Sequence, residues 1–334
     1  MTCNTKYLKK PTKTTVMLHS ADPKLTFSHI EWWLPILRES NTIFSVLVRD
    51  EASFKKITSK YPFLQILYAK SPVDVETVVN AQPNLKAVLY PTNRAKNIHL
   101  LRFIDLKHIF IGTKNSDWLS KIDKSYRAYD EMWISGNAQY DTITNELNEL
   151  RHLKLIKVGK PQIKNRFKKI ESSSIAFLPS LENNKFSSFY KMSHSFKQDL
   201  EVKVIHEKVS DKILKEYEVS VSKKNFKFIR DKNLFADEII SSQVIICDLS
   251  RLDVWLLSYD KPIFLHLPKG ERFLHKDISE DIVTIFSDIS ELGNLEEDAK
   301  TKEKREQFVE DVFGKSFTLE DEFLKNLRGA TNVE

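Results

Sequence analysis

The chain has 334 residues, a formal charge of +6, and 41% hydrophobic and 29% charged residues, an ordinary globular composition with apolar material for two cores. No run approaches the roughly 18 apolar residues that a bilayer span requires, and the first residues lack the apolar stretch of a signal peptide. With cysteine only at Cys3 and Cys247, a disulfide framework and zinc-ligand spacing are both excluded, which points to a reduced, cytoplasmic protein.

Thr14–His19 reads as a first strand, and Phe27–Glu39 follows as a helix with Ile30, Trp33, Leu34 and Leu37 on one face. Further strands are expected at Ile43–Arg49, Phe63–Ala69, Ala87–Tyr90, His108–Gly112, Glu131–Ser135 and Leu155–Val158, with helices at Glu51–Lys60 and Asp141–His152. Between Arg151 and Ile170 stand Arg151, Lys154, Lys157, Lys160, Lys164, Arg166, Lys168 and Lys169, with no acid among them. Such a block is either a solvated linker or a face for nucleotide phosphates or anionic headgroups at the inner side of the cytoplasmic membrane. No nucleic-acid-binding motif accompanies it, so nucleic acid is not an expected partner. The series then restarts, with strands at Ser173–Leu178, Leu200–His206, Phe226–Ile229, Val244–Asp248, Ile263–Leu267 and Val283–Phe286. A mixed-charge helix at Leu295–Val312 and a short one at Leu319–Leu327 close the chain, their charges reading as a solvated face.

These strands are continuous apolar runs, as parallel strands covered on both faces are. Two series of βα units predict two doubly wound parallel sheets, one in residues 1–160 and one in 161–334, the latter with the C-terminal helices. The carboxyl ends of the strands, and a cleft between two such domains, are where ligands are expected. Glycine narrows the chemistry. There are seven, at positions 112, 136, 159, 270, 293, 314 and 329, and no two make a G-x-G-x-x-G or Walker A loop, which disfavours a dinucleotide dehydrogenase and a P-loop ATPase. Gly112, Gly136 and Gly159 all follow strands, where turns call for positive φ.

Polar groups gather at several strand ends: Leu89–Arg102 (with Y-P-T-N-R-A-K-N from Tyr90), His108–Asp117 (H-I-F-I-G-T-K-N-S-D), Tyr129–Gly136 (Y-D-E-M-W-I-S-G), Val202–His206, and Val244–Asp253 running on to Pro262. In these segments the chain resembles the CDP-glycerol glycerophosphotransferases, which make teichoic-acid-type polymers on a GT-B fold of two Rossmann-like domains. The family pattern Y-P-x-N-x-x-K-N, H-x-F-I-G-H-G-x-S-D-K and Y-D-x-x-W-x-x-G is followed from Val88 to Gly136. Weaker matches stand at Val158–Pro161, at His206 and at Asp248–Pro262.

The resemblance implies a transferase that moves glycerol phosphate, or a related polyol or sugar phosphate, from a CDP-linked donor to a polymer or lipid-linked acceptor. It implies no cofactor and no catalytic metal. It also implies a histidine base directly after Gly112, where this chain has Thr113 and then Lys114, and threonine takes no proton near neutral pH. Ser116 and Asp117 are retained; Asp117 is a carboxylate able in principle to take the proton, but its shifted position along the loop counts against it as a replacement base, and Trp118 replaces a lysine. His206 corresponds to a histidine serving the donor diphosphate, or is a buried structural histidine. In place of T-D-x-S-S the chain reads Cys247, Asp248, Leu249, Ser250 and Arg251, so Asp248, Ser250 and Arg251 are donor-phosphate candidates or ordinary helix caps. Asn93, Lys96, Asn97 and Gly112 are expected to line the cleft. His99, Arg102 and His108 read as structural, and His266 and His275 lack a third metal ligand. Two alternatives stand beside the transferase: an impaired pseudoenzyme that binds nucleotide or partners an intact paralogue, and a GT-B glycosyltransferase using a sugar nucleotide. A homo-oligomer is compatible with all three.

Overall fold

The computed structural model describes residues 13–113, 122–163, 173–180, 201–206, 225–231, 234–288, 291, 296–315 and 319–331. The chain divides into two compact units, Met1–Gln162 with Glu310–Glu334, and Ile163–Val309.

In the first unit the apolar runs become β1 (Val16–Ser20), β2 (Phe44–Val48), β3 (Ile66–Tyr68), β4 (Ala87–Tyr90), β5 (Lys107–Phe110), β6 (Glu131–Ile134) and β7 (Lys154–Lys157). They pair in parallel in the order β3-β2-β1-β4-β5-β6-β7. The connecting helices are α1 (Thr26–Glu39), α2 (Glu51–Lys60), α3 (Pro72–Asn80), α4 (Ile98–Leu101) and α5 (Asn137–Leu147). Local chemistry starts them. Asp50 caps α2 by accepting from the Ser53 amide at 2.7 Å, and Ser71 and Asp74 form a capping box on α3 with Pro72 at its start. Alternate residues of each strand then feed opposite faces: Met17, Val88, Tyr90 and Phe110 enter one core, and Val16, Leu18, Leu89 and Ile109 the other.

The second unit repeats the scheme with β8 (Ile175–Leu178), β9 (Val202–Ile205), β10 (Phe226–Ile229), β11 (Val244–Asp248), β12 (Ile263–His266) and β13 (Thr284–Phe286), all parallel, in the order β10-β9-β8-β11-β12-β13. Short helices α6 (Phe235–Ile240) and α7 (Val254–Leu257) lie between them, and α8 (Ala299–Phe313) and α9 (Leu319–Thr331) follow. In each sheet the strand order reverses beside the first strand, between β1 and β4 and between β8 and β11, which is where doubly wound sheets bind ligands.

Two expectations change. The C-terminal segment from Glu310 belongs to the first unit, not the second. The reason lies in two residues four apart on α9: Phe323 and Leu327 are fully buried in the first unit's core. The Phe323 ring stacks on Trp33 at 5.1 Å and meets Trp133 edge-on at 5.2 Å. Gly136 also departs from the reading as a positive-φ turn. Its φ is −158°, open to any residue, and its role is close approach, since a Cβ there would stand 2.2 Å from the Asp311 carbonyl oxygen. Gly112, by contrast, does have positive φ, at 67°. Gly136→Ala is therefore expected to push the end of α8 off the carboxyl end of β6 and to cost about 1–3 kcal/mol, as overpacking against backbone does. Urea unfolding checks this, and a variant within 0.5 kcal/mol of the parent, roughly the scatter of neutral surface changes, would refute it.

Candidate functional site

In the first unit, the loop after β4 and the chain entering β6 close into one polar network. The Tyr129 hydroxyl donates to Asn93 Oδ1 at 3.0 Å and accepts from Asn97 Nδ2 at 2.9 Å. Asn97 also donates to the Thr92 carbonyl at 2.7 Å, and Asn93 Nδ2 donates to Ser125 at 2.6 Å. Asn97 is buried and shaped for this framework, whereas Asn93 is half-buried. The Lys96 side chain is exposed, and its carbonyl accepts from Arg49 at 3.3 Å. That buried guanidinium also donates to the Ala69 and Lys70 carbonyls at 2.6 and 3.2 Å and to His99 Nδ1 at 2.9 Å, tying the ends of β2 and β3 to the turn after β4. His108 is structural as well. Its Nε2 donates to the Phe103 carbonyl at 3.0 Å, so its Nδ1 accepts from the Tyr90 hydroxyl at 2.8 Å. The side chains of the first and third family segments thus mainly build the loop that the second segment sits beside.

The second segment turns sharply at Gly112. The Trp33 indole of α1 donates to the Gly112 carbonyl at 2.7 Å, and the ammonium of Lys160 donates to the Thr113 carbonyl at 3.2 Å. Lys160 is only 4% exposed, so this member of the basic run is part of the site's framework. Arg151, Lys154 and Lys157 are exposed, and the other four basic residues lie outside the described residues, as do Ser116 and Asp117. Thr113 is buried at 7% exposure.

One turn of α1 before Trp33 stands a histidine that sequence reasoning missed. His29 is 6% exposed, and its Nδ1 lies 3.2 Å from Ser20 Oγ at the end of β1. Ser20 Oγ in turn lies 3.1 Å from Thr26 Oγ1, whose hydroxyl donates to the Asp22 carbonyl. Asp22 accepts from the Lys24 and Leu25 amides at 3.0 and 3.1 Å and pairs with Arg94. Burial lowers the His29 pKa; Asp22 opposes this and Arg94 adds to it. His29 is neutral at pH 7. No motif announces these residues: Ser20 and His29 are nine apart and meet only because the turn after β1 folds α1 back over the sheet.

In the second unit, Asp248 ends β11 with both oxygens engaged. It accepts from the Ser180 amide after β8, and its other oxygen lies 3.0 Å from His266 Nδ1 at the end of β12. It makes no side-chain cap on the following 3₁₀ turn. His266, set aside in sequence for want of metal partners, is therefore the partner of this carboxylate. Ser250 is exposed and Arg251 half-buried on the turn after β11, and the buried Arg251 Nε has no hydrogen-bond partner among the described residues. His206 is buried at the end of β9, its amide bonded to Ile229. Cys247 is fully buried, and burial together with Asp248 pushes its thiol pKa far up, so it is no nucleophile. Among the described residues no group of three or more His, Cys, Asp or Glu is placed to hold a metal ion, and no helix is long and apolar enough to cross a membrane.

No protein-family model matches the chain, and no curated protein sequence does. Solved structures do. The UDP-GlcNAc 2-epimerase of Methanocaldococcus jannaschii matches with TM-score 0.55 at 12% identity, over 95% of this chain and 99% of that one. The Neisseria meningitidis UDP-GlcNAc 2-epimerase bound to UDP-GlcNAc matches with TM-score 0.55 at 10% identity, over 95% and 99%. A variant of the wall teichoic acid polymerase TagF matches with TM-score 0.48 at 12% identity, over 96% and 91%, a likeness too slight to carry an argument. Together with the two parallel sheets, the first two likenesses establish the fold: two Rossmann-like domains of GT-B type.

Proposed function

We propose that the protein is a nucleotide-donor transferase that moves glycerol phosphate, or a related polyol or sugar phosphate, from a CDP-linked donor to a hydroxyl on a cell-surface polymer or lipid-linked acceptor. The observation that carries this reading is the folding of the described parts of Tyr90–Gly136, residues 90–113 and 122–136. Its segments, quoted above for their family resemblance, draw together at the carboxyl ends of β4 and β5 through the Asn93–Tyr129–Asn97 network and the Gly112 turn. Two doubly wound sheets, each with a switch point, are also the scaffold on which nucleotides are held by backbone amides and helix starts. The epimerase of known ligand shares that fold and binds a nucleotide sugar, which agrees with a nucleotide-linked donor and leaves the base and the transferred group to experiment.

The test is a donor panel. Purified protein is incubated with CDP-glycerol and with UDP- and GDP-linked sugars, with and without a glycerol-phosphate-terminated acceptor, and nucleotide release is followed. Acceptor-dependent CMP release from CDP-glycerol is the expected result. Release from a UDP- or GDP-linked sugar instead favours the glycosyltransferase reading. Nucleotide binding without turnover on any donor favours the pseudoenzyme.

A further inference from the structure

The position after Gly112 lacks the histidine that the family resemblance implies there, because Thr113 occupies it and its carbonyl is held by Lys160. The nearest helix offers a replacement. Trp33 of α1 touches the Gly112 carbonyl, and His29 lies one helical turn, about 6 Å along the axis, toward the start of α1. Since α1 begins at the turn after β1, that direction leads to the carboxyl end of the sheet, where acceptor substrates of this architecture are expected.

The hydroxyl relay around His29 sets its tautomer. Thr26 donates its proton to the Asp22 carbonyl, so Thr26 Oγ1 is left to accept from Ser20. Ser20 has then used its one proton, and its oxygen can only accept from His29 Nδ1. Nδ1 therefore carries the hydrogen, and Nε2 carries a lone pair. Nε2 makes no hydrogen bond to any described residue and is not among the sealed polar atoms. A buried histidine with one ring nitrogen locked by a relay and the other holding a lone pair with no hydrogen bond to a described residue is the arrangement a general base needs.

We infer that His29 is the general base of this protein, taking the proton of a hydroxyl acceptor in place of the histidine absent at position 113. The assignment rests on the transferase reading given above. As the acceptor oxygen forms its bond to the phosphorus of the transferred group, its proton passes to His29 Nε2. The bond from that phosphorus to the bridging oxygen breaks, and its electron pair leaves with CMP. The imidazolium then returns the proton to water. Ser20 is a positioning residue that holds the Nδ1–H tautomer, and Asp22 with Arg94 are the charged groups that bear on the ring.

The test combines kinetics with nitrogen NMR on the full chain. His29→Gln keeps a side chain able to donate to Ser20 and is expected to lower acceptor-dependent kcat by about 10²–10⁴-fold, the usual worth of a general base, with nucleotide binding unchanged. Ser20→Ala is expected to lower kcat less and to raise the Nε2–H tautomer of His29, a signature that loss of packing would not produce. In the parent protein the ring-nitrogen shifts of His29 should report the Nδ1–H tautomer. Parent-like turnover in a folded His29→Gln variant overturns the assignment while leaving the transferase reading intact, and so does a resting Nε2–H tautomer. Absence of turnover in the parent on every donor overturns both.

Discussion

Replacing Arg305 with methionine is expected to destabilise the protein by about 3–5 kcal/mol, the cost of leaving a buried charge without its partner. Arg305 sits on α8 with 2% of its side chain exposed. Its Nε and one Nη atom hold the two oxygens of Glu297, each at 3.0 Å, and the other Nη donates to Asp260 at 2.6 Å. Burial alone would lower its pKa, but the Glu297 fork and the Asp260 charge raise it, so the guanidinium stays charged. The Glu297 side chain is 6% exposed and that of Asp260 35%. The penalty should accordingly come from Glu297, which the methionine leaves buried without its partner. This yields an internal control. The double change Arg305→Met with Glu297→Leu removes both charges and should recover most of the loss, since an apolar pair of similar volume often matches a buried ion pair. Urea unfolding of the four proteins gives the coupling. If the double variant is as unstable as the sum of the singles, the bidentate pair is not the source of the effect.

How far sequence carries the fold depends on the distance over which each cause acts. The strands were legible because a parallel strand covered on both faces is mostly apolar: all five residues of β1 are buried, and each of β4, β6, β8 and β12 is buried along its length, with polar residues only at strand ends. Capping of α2 and α3 is equally local, set within three residues. Causes that act at long range were not legible. Gly136 is small because of Asp311, and Phe323 is apolar because of Trp33 and Trp133, so the sequence showed the C-terminal helices and their charged face but not the core they cover. The candidate site divides the same way. The family segments were visible as text, and His108 reads as structural there too, yet the cleft candidate Asn97 is held as framework and Asp248 is taken up by Ser180 and His266. The Ser20–His29 contact had no text signal at all. A serine and a histidine nine residues apart are common, and only the reversal of the chain after β1 makes them neighbours.

That same reversal buries a second histidine, and acid should expose it. His19 precedes Ser20 on β1 and is fully buried, its ring edge-on to Tyr90 at 5.7 Å. Burial, with the Arg49 charge adding to it, lowers its pKa from 6.5 to about 3. Among the described residues neither ring nitrogen makes a hydrogen bond of normal geometry. Between pH 6.5 and 3 the unfolded chain therefore binds a proton at His19 that the folded chain refuses. The folded state keeps its full stability above the unfolded value and loses it as pH falls through this window, at a slope of about 1.4 kcal/mol per pH unit for one such group. By pH 4.5 the loss from His19 alone would be about 3 kcal/mol by that slope, a large share of an ordinary domain's stability. His29 and His108, also lowered chiefly by burial, add in the same direction, so a steep decline below pH 6.5 does not by itself identify His19. His19→Leu does. It removes a titrating ring without stranding a hydrogen-bond partner, and its urea midpoint should fall more shallowly with pH than that of the parent, with the two curves drawing apart progressively below pH 6. Parallel curves from pH 7 to 4.5 would mean that His19 accepts its proton without unfolding the sheet, and that the acid sensitivity lies with His29 and His108.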